Sequence, residues 1–205
     1  MKTKFRSAAA LFACLCAVPA QAQYSYANED ARPLPPAGST PNQLIPAHGG
    51  DGGYMTVNRG ISREQTAWHV RAALNVAALG CRDEAERETV AAYNALLSRH
   101  KASLAAADFA VKAQYRTRYG AGWDSRHDRD MTRVYNFFAQ PPAQTSFCRV
   151  ARDVLAEARR VSPDQFAAFA ADALPRLEAP FTDFYRDYEA WKVADRAWQG
   201  RLARR

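Results

Sequence analysis

Basic and aromatic residues alternate along Lys112, Tyr115, Arg116, Arg118, Tyr119, Trp123, Arg126, Arg129 and Arg133, on either side of the turn Gly120-Ala121-Gly122. Guanidinium groups pair with oxyanions through a planar fork of donors, and aromatic rings stack on cations and on flat ligand faces. Arg116, Arg118, Trp123 and Arg126 are therefore the candidate surface for an anionic polymer or glycan. Asp124, Asp128 and Asp130 stand among the arginines, so solvated helix ends that pair internally are the competing explanation.

A second polar set interrupts an otherwise apolar stretch. Arg71 and Asn75 lie one helical turn apart within Trp68–Cys81, and Asp195 sits between Trp191 and Trp198 at a heptad position. A buried Arg or Asn without partners costs about 1–3 kcal/mol or more, so these side chains must find one another or find substitutes. Two arrangements meet that demand: a buried polar lock that fixes helix register, or the polar floor of a ligand pocket.

Catalytic chemistry has little to draw on. His48, His69, His100 and His127 are scattered, and the spacing of Asp124 and His127 makes one pair rather than a metal site. The paired Glu-x-x-His of di-iron bundles is absent, as are Cys-x-x-Cys-His, Gly-x-Ser-x-Gly, His-Glu-x-x-His and the phosphate-binding loop. No catalytic residue, metal or cofactor is predicted, and the inventory favours a binding protein over an enzyme. Arg196, Arg201, Arg204 and Arg205 give the carboxyl end a basic character that suits a helix C-terminus, with anionic headgroups as an alternative partner.

The compartment is read from the opening residues. Lys2, Lys4 and Arg6 precede the apolar run Ser7–Val18, and Ala20-Gln21-Ala22 supplies small residues for cleavage. This is the layout of a signal peptide, residues 1–22, cut after Ala22 to release a periplasmic or secreted chain. Cleavage before Cys14 would create a lipid anchor, but it leaves a very short apolar region with bulky Phe12 near the cut. Loss of the three cations of the signal lowers the formal charge from +7 to +4. An exported, mildly basic chain has no strong case for nucleic acid, and no later stretch is long and apolar enough to span a membrane.

Cys81 and Cys148 are the two cysteines left after cleavage. An even pair in an oxidising compartment reads as a disulfide, with two free thiols or a metal pair as the alternatives. A bridge closing a loop of 67 residues contributes about 4 kcal/mol in the chain-entropy picture.

These residues are carried by helices. Residues 23–60 hold Pro33, Pro35, Pro36, Pro41, Pro46 and the run Gly49-Gly50-Asp51-Gly52-Gly53, a composition that predicts a flexible linker, within which Tyr54-Met55-Thr56-Val57 is read as one short strand or as chain lying extended over the bundle. Residues 61–205 show helical spacing throughout. Ser62 and Gln65 form a capping box for a first helix that ends near Gly80, and acidic residues follow from Asp83 to Glu88. Further helices are expected around Val90–His100 and Leu104–Tyr119, either separate or continuous. Another should start at Asp128 or Asp130, the next should cover Ser146–Val161, and a short one should follow Ser162. Pro175 is expected to disturb the short helix and Pro180 to open a last long one. The fold predicted is all-α: a single disulfide-stapled bundle of about five to seven helices with a disordered N-terminal tail.

The run Arg71-Ala72-Ala73-Leu74-Asn75-Val76-Ala77-Ala78-Leu79-Gly80-Cys81 is followed by Tyr93-Asn94-Ala95-Leu96-Leu97 and by Tyr135–Pro142 ahead of Cys148. It resembles a group of exported helical proteins of alphaproteobacteria that share a Leu-Asn-Val-Ala-Ala-Leu-x-Cys motif and have no assigned activity. The resemblance covers most of residues 61–202 and implies export and the cysteine pair. The combined expectation is a non-enzymatic periplasmic protein that binds an envelope protein or polymer. The alternative is an enzyme or small-ligand receptor with a pocket near Arg71, Asn75 and Asp195.

Overall fold

Ser62 starts the first helix, α1 (Arg63–Gly80), through a reciprocal box. Its hydroxyl accepts from the Gln65 backbone N–H at 3.1 Å, and Gln65 Oε1 accepts from Ser62 N–H at 3.0 Å. In α1, Val70, Ala72, Ala73, Leu74 and Ala77 are all fully shut from solvent. A helix apolar on nearly every side belongs at the centre of a bundle, and α1 contacts each of the other five helices. The computed structural model describes residues 31–40 and 42–204. The expected signal peptide and the first residues of the expected linker lie outside the described residues.

After Cys81 come α2 (Glu86–Arg99), α3 (Lys101–Tyr119), α4 (Trp123–Phe138), α5 (Gln144–Ala158) and α6 (Phe166–Leu202). The six helices form the all-α bundle that the sequence predicts, with single 3₁₀ turns ahead of α5 and α6. Glu86 and Glu88 sit in the first turn of α2, where the helix dipole favours negative charge. The backbone leaves the helical region only at His100 (φ −103°, ψ 20°), which separates α2 from α3.

Two helices differ from the sequence reading. α4 begins at Trp123, ahead of Asp128, because Gly122 takes a left-handed conformation (φ 83°) that a residue with a Cβ resists, and the chain re-enters a helix at once. α6 runs unbroken through Pro175 and Pro180 for 37 residues, about 55 Å. Each proline removes one intrahelical bond, a penalty of roughly 3 kcal/mol or more. Ala170, Ala173, Leu174, Leu177, Phe181, Phe184 and Tyr185 form one buried stripe across both prolines, and burying each large side chain contributes about 1.5–3 kcal/mol. Continuous burial outweighs the two lost bonds.

Phe138, Phe147 and Phe181 meet at the centre with ring centroids 5.2–5.8 Å apart, one ring from each of α4, α5 and α6. Cys81, at the end of α1, is bonded to Cys148 in α5 with their Cα atoms 5.7 Å apart. The disulfide therefore staples the central helix to an outer one.

The expected linker behaves differently in its described part. Residues 32–40 and 42–60 form a strap laid along α6 and α1. Trp191 Nε1–H donates to Pro33 O at 3.1 Å, Tyr188 OH donates to Thr40 O at 3.2 Å, and Tyr54 OH donates to Glu189 at 2.7 Å. Thr56 bonds Glu178, and Ile45, Tyr54, Val57 and Ile61 pack against the core. Proline limits φ already in the unfolded chain, so docking such a segment costs less entropy than its composition suggests. The only β-pairing among the described residues is the isolated bridge His48–Tyr54.

Reduction of the Cys81–Cys148 bridge, or its replacement by Cys81→Ala with Cys148→Ala, should lower unfolding stability by about 4 kcal/mol. Urea melts with and without reductant measure this directly, and an unchanged midpoint would show the staple to be idle.

Candidate functional site

The turn between α3 and α4 gathers charge and aromatic surface in one place. Tyr115 and Tyr119 lie one turn apart on α3 with ring centroids 5.5 Å apart, and Trp123 opens α4. Arg116 lays its guanidinium 4.5 Å from the Trp123 ring centroid. Arg118 and Arg126 each stand 5.4 Å from that of Tyr119. The four residues predicted for an anionic partner are thus brought together, each guanidinium resting on a ring face.

Asp130 is the counter-charge inside this group. Arg126 Nε donates to Asp130 Oδ2 at 2.9 Å, Tyr115 OH donates to the same oxygen at 3.1 Å, and Arg133 donates to Oδ1 at 3.3 Å. Burial, and then the Asp130 charge, push the Tyr115 hydroxyl up to about 12, so it stays protonated and keeps donating. Arg126 is neutralised by Asp130. Arg116 and Arg118 form no ion pair among the described residues, so part of the competing explanation holds for Arg126 and fails for these two.

A cavity of about 250 Å³ opens beside this turn. Its wall takes Arg118 and Tyr119 from α3, Asp130 and Arg133 from α4, Gln65 and His69 from α1, and Arg59 from the strap. His69 is 2% exposed, and its Nδ1 meets Asn58 Oδ1 at 2.9 Å. A carbonyl oxygen only accepts, so Nδ1 carries the proton and Nε2 is left as the ring's acceptor. Burial pulls the His69 pKa down from 6.5 to about 4, so the ring is neutral near pH 7. Arg59 is held by Asp51. Counting Arg59, Arg118 and Arg133 against Asp130, cations outnumber anions in the cavity wall.

Arg71, Asn75 and Asp195 have separate partners. Arg71 donates to Tyr135 OH at 2.8 Å and stacks 5.0 Å from the Trp68 ring centroid, which ties α1 to α4. The buried Tyr93 hydroxyl lies in the field of Arg71 beside Asn75. Asp195 instead takes Arg32 Nε at 2.6 Å and Gln199 at 2.6 Å, fastening the strap to α6. The Arg32 guanidinium holds the Asp195 carboxyl below the usual carboxylate range. The polar residues thus form two locks at different interfaces.

His127 does not join Asp124 in a chelating pair. Its ring sits edge-on to Tyr115 at 5.2 Å and near Trp123 at 6.3 Å, and Nδ1 contacts Asp128 at 3.3 Å. His100 is wholly buried, with Nε2 bonded to Ala158 O at 3.0 Å and its ring stacked on Phe166. No cluster of three or more His, Cys, Asp or Glu side chains among the described residues has metal-binding geometry. Sequence reasoning passed over Arg59 and His69 as site residues, because the cavity joins segments that are far apart in the chain.

His69 should make stability depend on pH. Between pH 6.5 and pH 4 the unfolded chain takes up a proton that the folded ring refuses, so stability is full above pH 6.5 and falls as the solution is acidified. The loss across that window is on the order of 3 kcal/mol. His69→Gln should flatten the urea midpoint over the same range; an identical slope in wild type and variant would remove His69 as the cause.

No family model, no curated protein and no solved structure matches this chain, and the site stands on its own residues.

Proposed function

We propose that this chain is an exported, non-enzymatic binding protein whose α3–α4 end grips an anionic polymer of the cell envelope. The observation that carries the reading is the pair Arg116 and Arg118: two cations without a carboxylate partner among the described residues, each laid over a ring. Guanidinium groups parked on Trp123 and Tyr119 are held in place before any ligand arrives, so less side-chain entropy is lost on binding. Arg126 and Arg133 share the single carboxylate of Asp130, so the cluster as a whole keeps a net positive charge.

Export is supported by the layout of residues 1–22 and by the disulfide, since such bonds persist in oxidising compartments. No helix among the described residues is long and apolar enough to cross a membrane. Intact mass of the chain recovered from the envelope fraction should place its first residue at Gln23; an N-terminus at Met1 would end the export reading.

Binding should be seen on an immobilised polyuronate column. The chain with its disulfide intact is expected to be retained at low ionic strength and released as salt rises, because surface charge pairs are screened. Arg116→Gln with Arg118→Gln should weaken retention roughly tenfold, the scale of one charged hydrogen bond. Arg82→Gln with Arg152→Gln, which removes two cations paired with Glu86 and Asp83, is the control for net charge. Equal loss in both would show that only overall charge matters.

A further inference from the structure

Walls that bind a bare inorganic anion need donors alone. The cavity beside the α3–α4 turn has something more, because acceptors and donors share one small space. Arg118 and Arg133 line one part of it, and Arg133 uses a single long bond to Asp130 at 3.3 Å, leaving most of its five N–H donors unused. His69 lines the same cavity with Nδ1 committed to Asn58, so Nε2 is available as an acceptor. Gln65 is committed through Oε1 to the α1 cap, which leaves its amide N–H groups to donate. An acceptor in the wall calls for a ligand that brings a hydroxyl, and unengaged guanidinium groups call for one that brings an oxyanion.

Size narrows the class. A volume of about 250 Å³ is below the roughly 300–1,000 Å³ of pockets that hold drug-sized ligands. The space suits one ring-sized, hydroxylated unit. Tyr119, already under Arg118 at 5.4 Å, adds a flat face to the same wall.

We infer that this cavity binds a single monosaccharide-sized unit bearing an oxyanion, with Arg118 and Arg133 on the charged group and His69 and Gln65 on its hydroxyls. The inference rests on the polymer-binding reading: the cavity takes one acidic sugar unit, pendant or terminal, while Arg116, Trp123 and Arg126 hold the outside of the chain that carries it. Carboxylate and phosphate share this chemistry, and the choice between them belongs to the experiment.

Calorimetric titration of the disulfide-intact chain with four probes tests it: glucuronate, glucose 6-phosphate, glucose and sulfate. Saturable binding is expected for one or both of the first two, and whichever binds more tightly names the oxyanion. Glucose should not saturate, and sulfate, which carries no proton near neutral pH and so satisfies no acceptor, should bind at least about tenfold more weakly than the better sugar anion. Arg118→Met, at an exposed position, should weaken the better probe about tenfold. Val57→Phe should abolish its binding by filling the cavity, while a melting curve like wild type shows the chain still folded. Sulfate binding as tightly as the sugar anions would overturn the inference, as would glucose binding as tightly as glucuronate. If no sugar anion saturates while the polyuronate column still retains the chain, the cavity assignment fails and the polymer reading survives. If the column also fails to retain it, both fall together.

Discussion

Ala72, Ala73 and Ala77 allow every other helix to come close to α1, and the arrangement of the molecule follows from that thinness. Each alanine buries little surface by itself. Together they make a narrow central rod on which large side chains from outside can close. Phe138, Phe147 and Phe181 converge from three of these helices into the same core. A larger residue at one of these alanines would force neighbouring helices outward, a change costing typically 1–3 kcal/mol. The disulfide acts on the same rod, since Cys81 fixes its end to α5.

Much of the bundle was legible because helix signals are local. Ser62 and Gln65 announce α1 over four residues, and the 3.6-residue spacing of apolar side chains announces α2, α3 and α5. What misled was equally local. Pro175 and Pro180 read as breaks, yet the stripe that carries α6 across them is decided by contacts with α1 and α5, which no short window contains. Proline and glycine content in residues 32–60 reads as a flexible tether on composition alone. It carries no information about tertiary anchoring, which here comes from single donors on α6 meeting isolated carbonyls of the strap.

The site divides along the same line. Arg116, Arg118, Trp123 and Arg126 fall within eleven residues, so their spacing revealed them and the structure gathers them. Asp195 looked like a companion for Arg71 because both are polar residues on apolar helices, but its partner Arg32 lies in the stretch read as a tether. His69 and Arg59 are unremarkable in sequence. They become part of a cavity only because Asn58 draws the strap onto α1, and a histidine is legible as an acceptor only once the partner of its other nitrogen is known.

The strap also has a place in the order of folding. Arg32 and Asp195 are 163 residues apart, and Tyr54 waits for Glu189 across 135. Local helices close early, whereas contacts between distant segments must await the later one. During synthesis the strap emerges first and cannot dock until α6 exists, so it is the last piece to settle although the first to appear. Val57, Arg59, Gly60 and Ile61 line the cavity at the end of the strap nearest α1, where Asn58 bonds His69, and the neighbouring Thr56 is bonded to Glu178 of α6. A truncated or half-made copy keeps the exposed arginines but lacks the α6 side chains that anchor the strap.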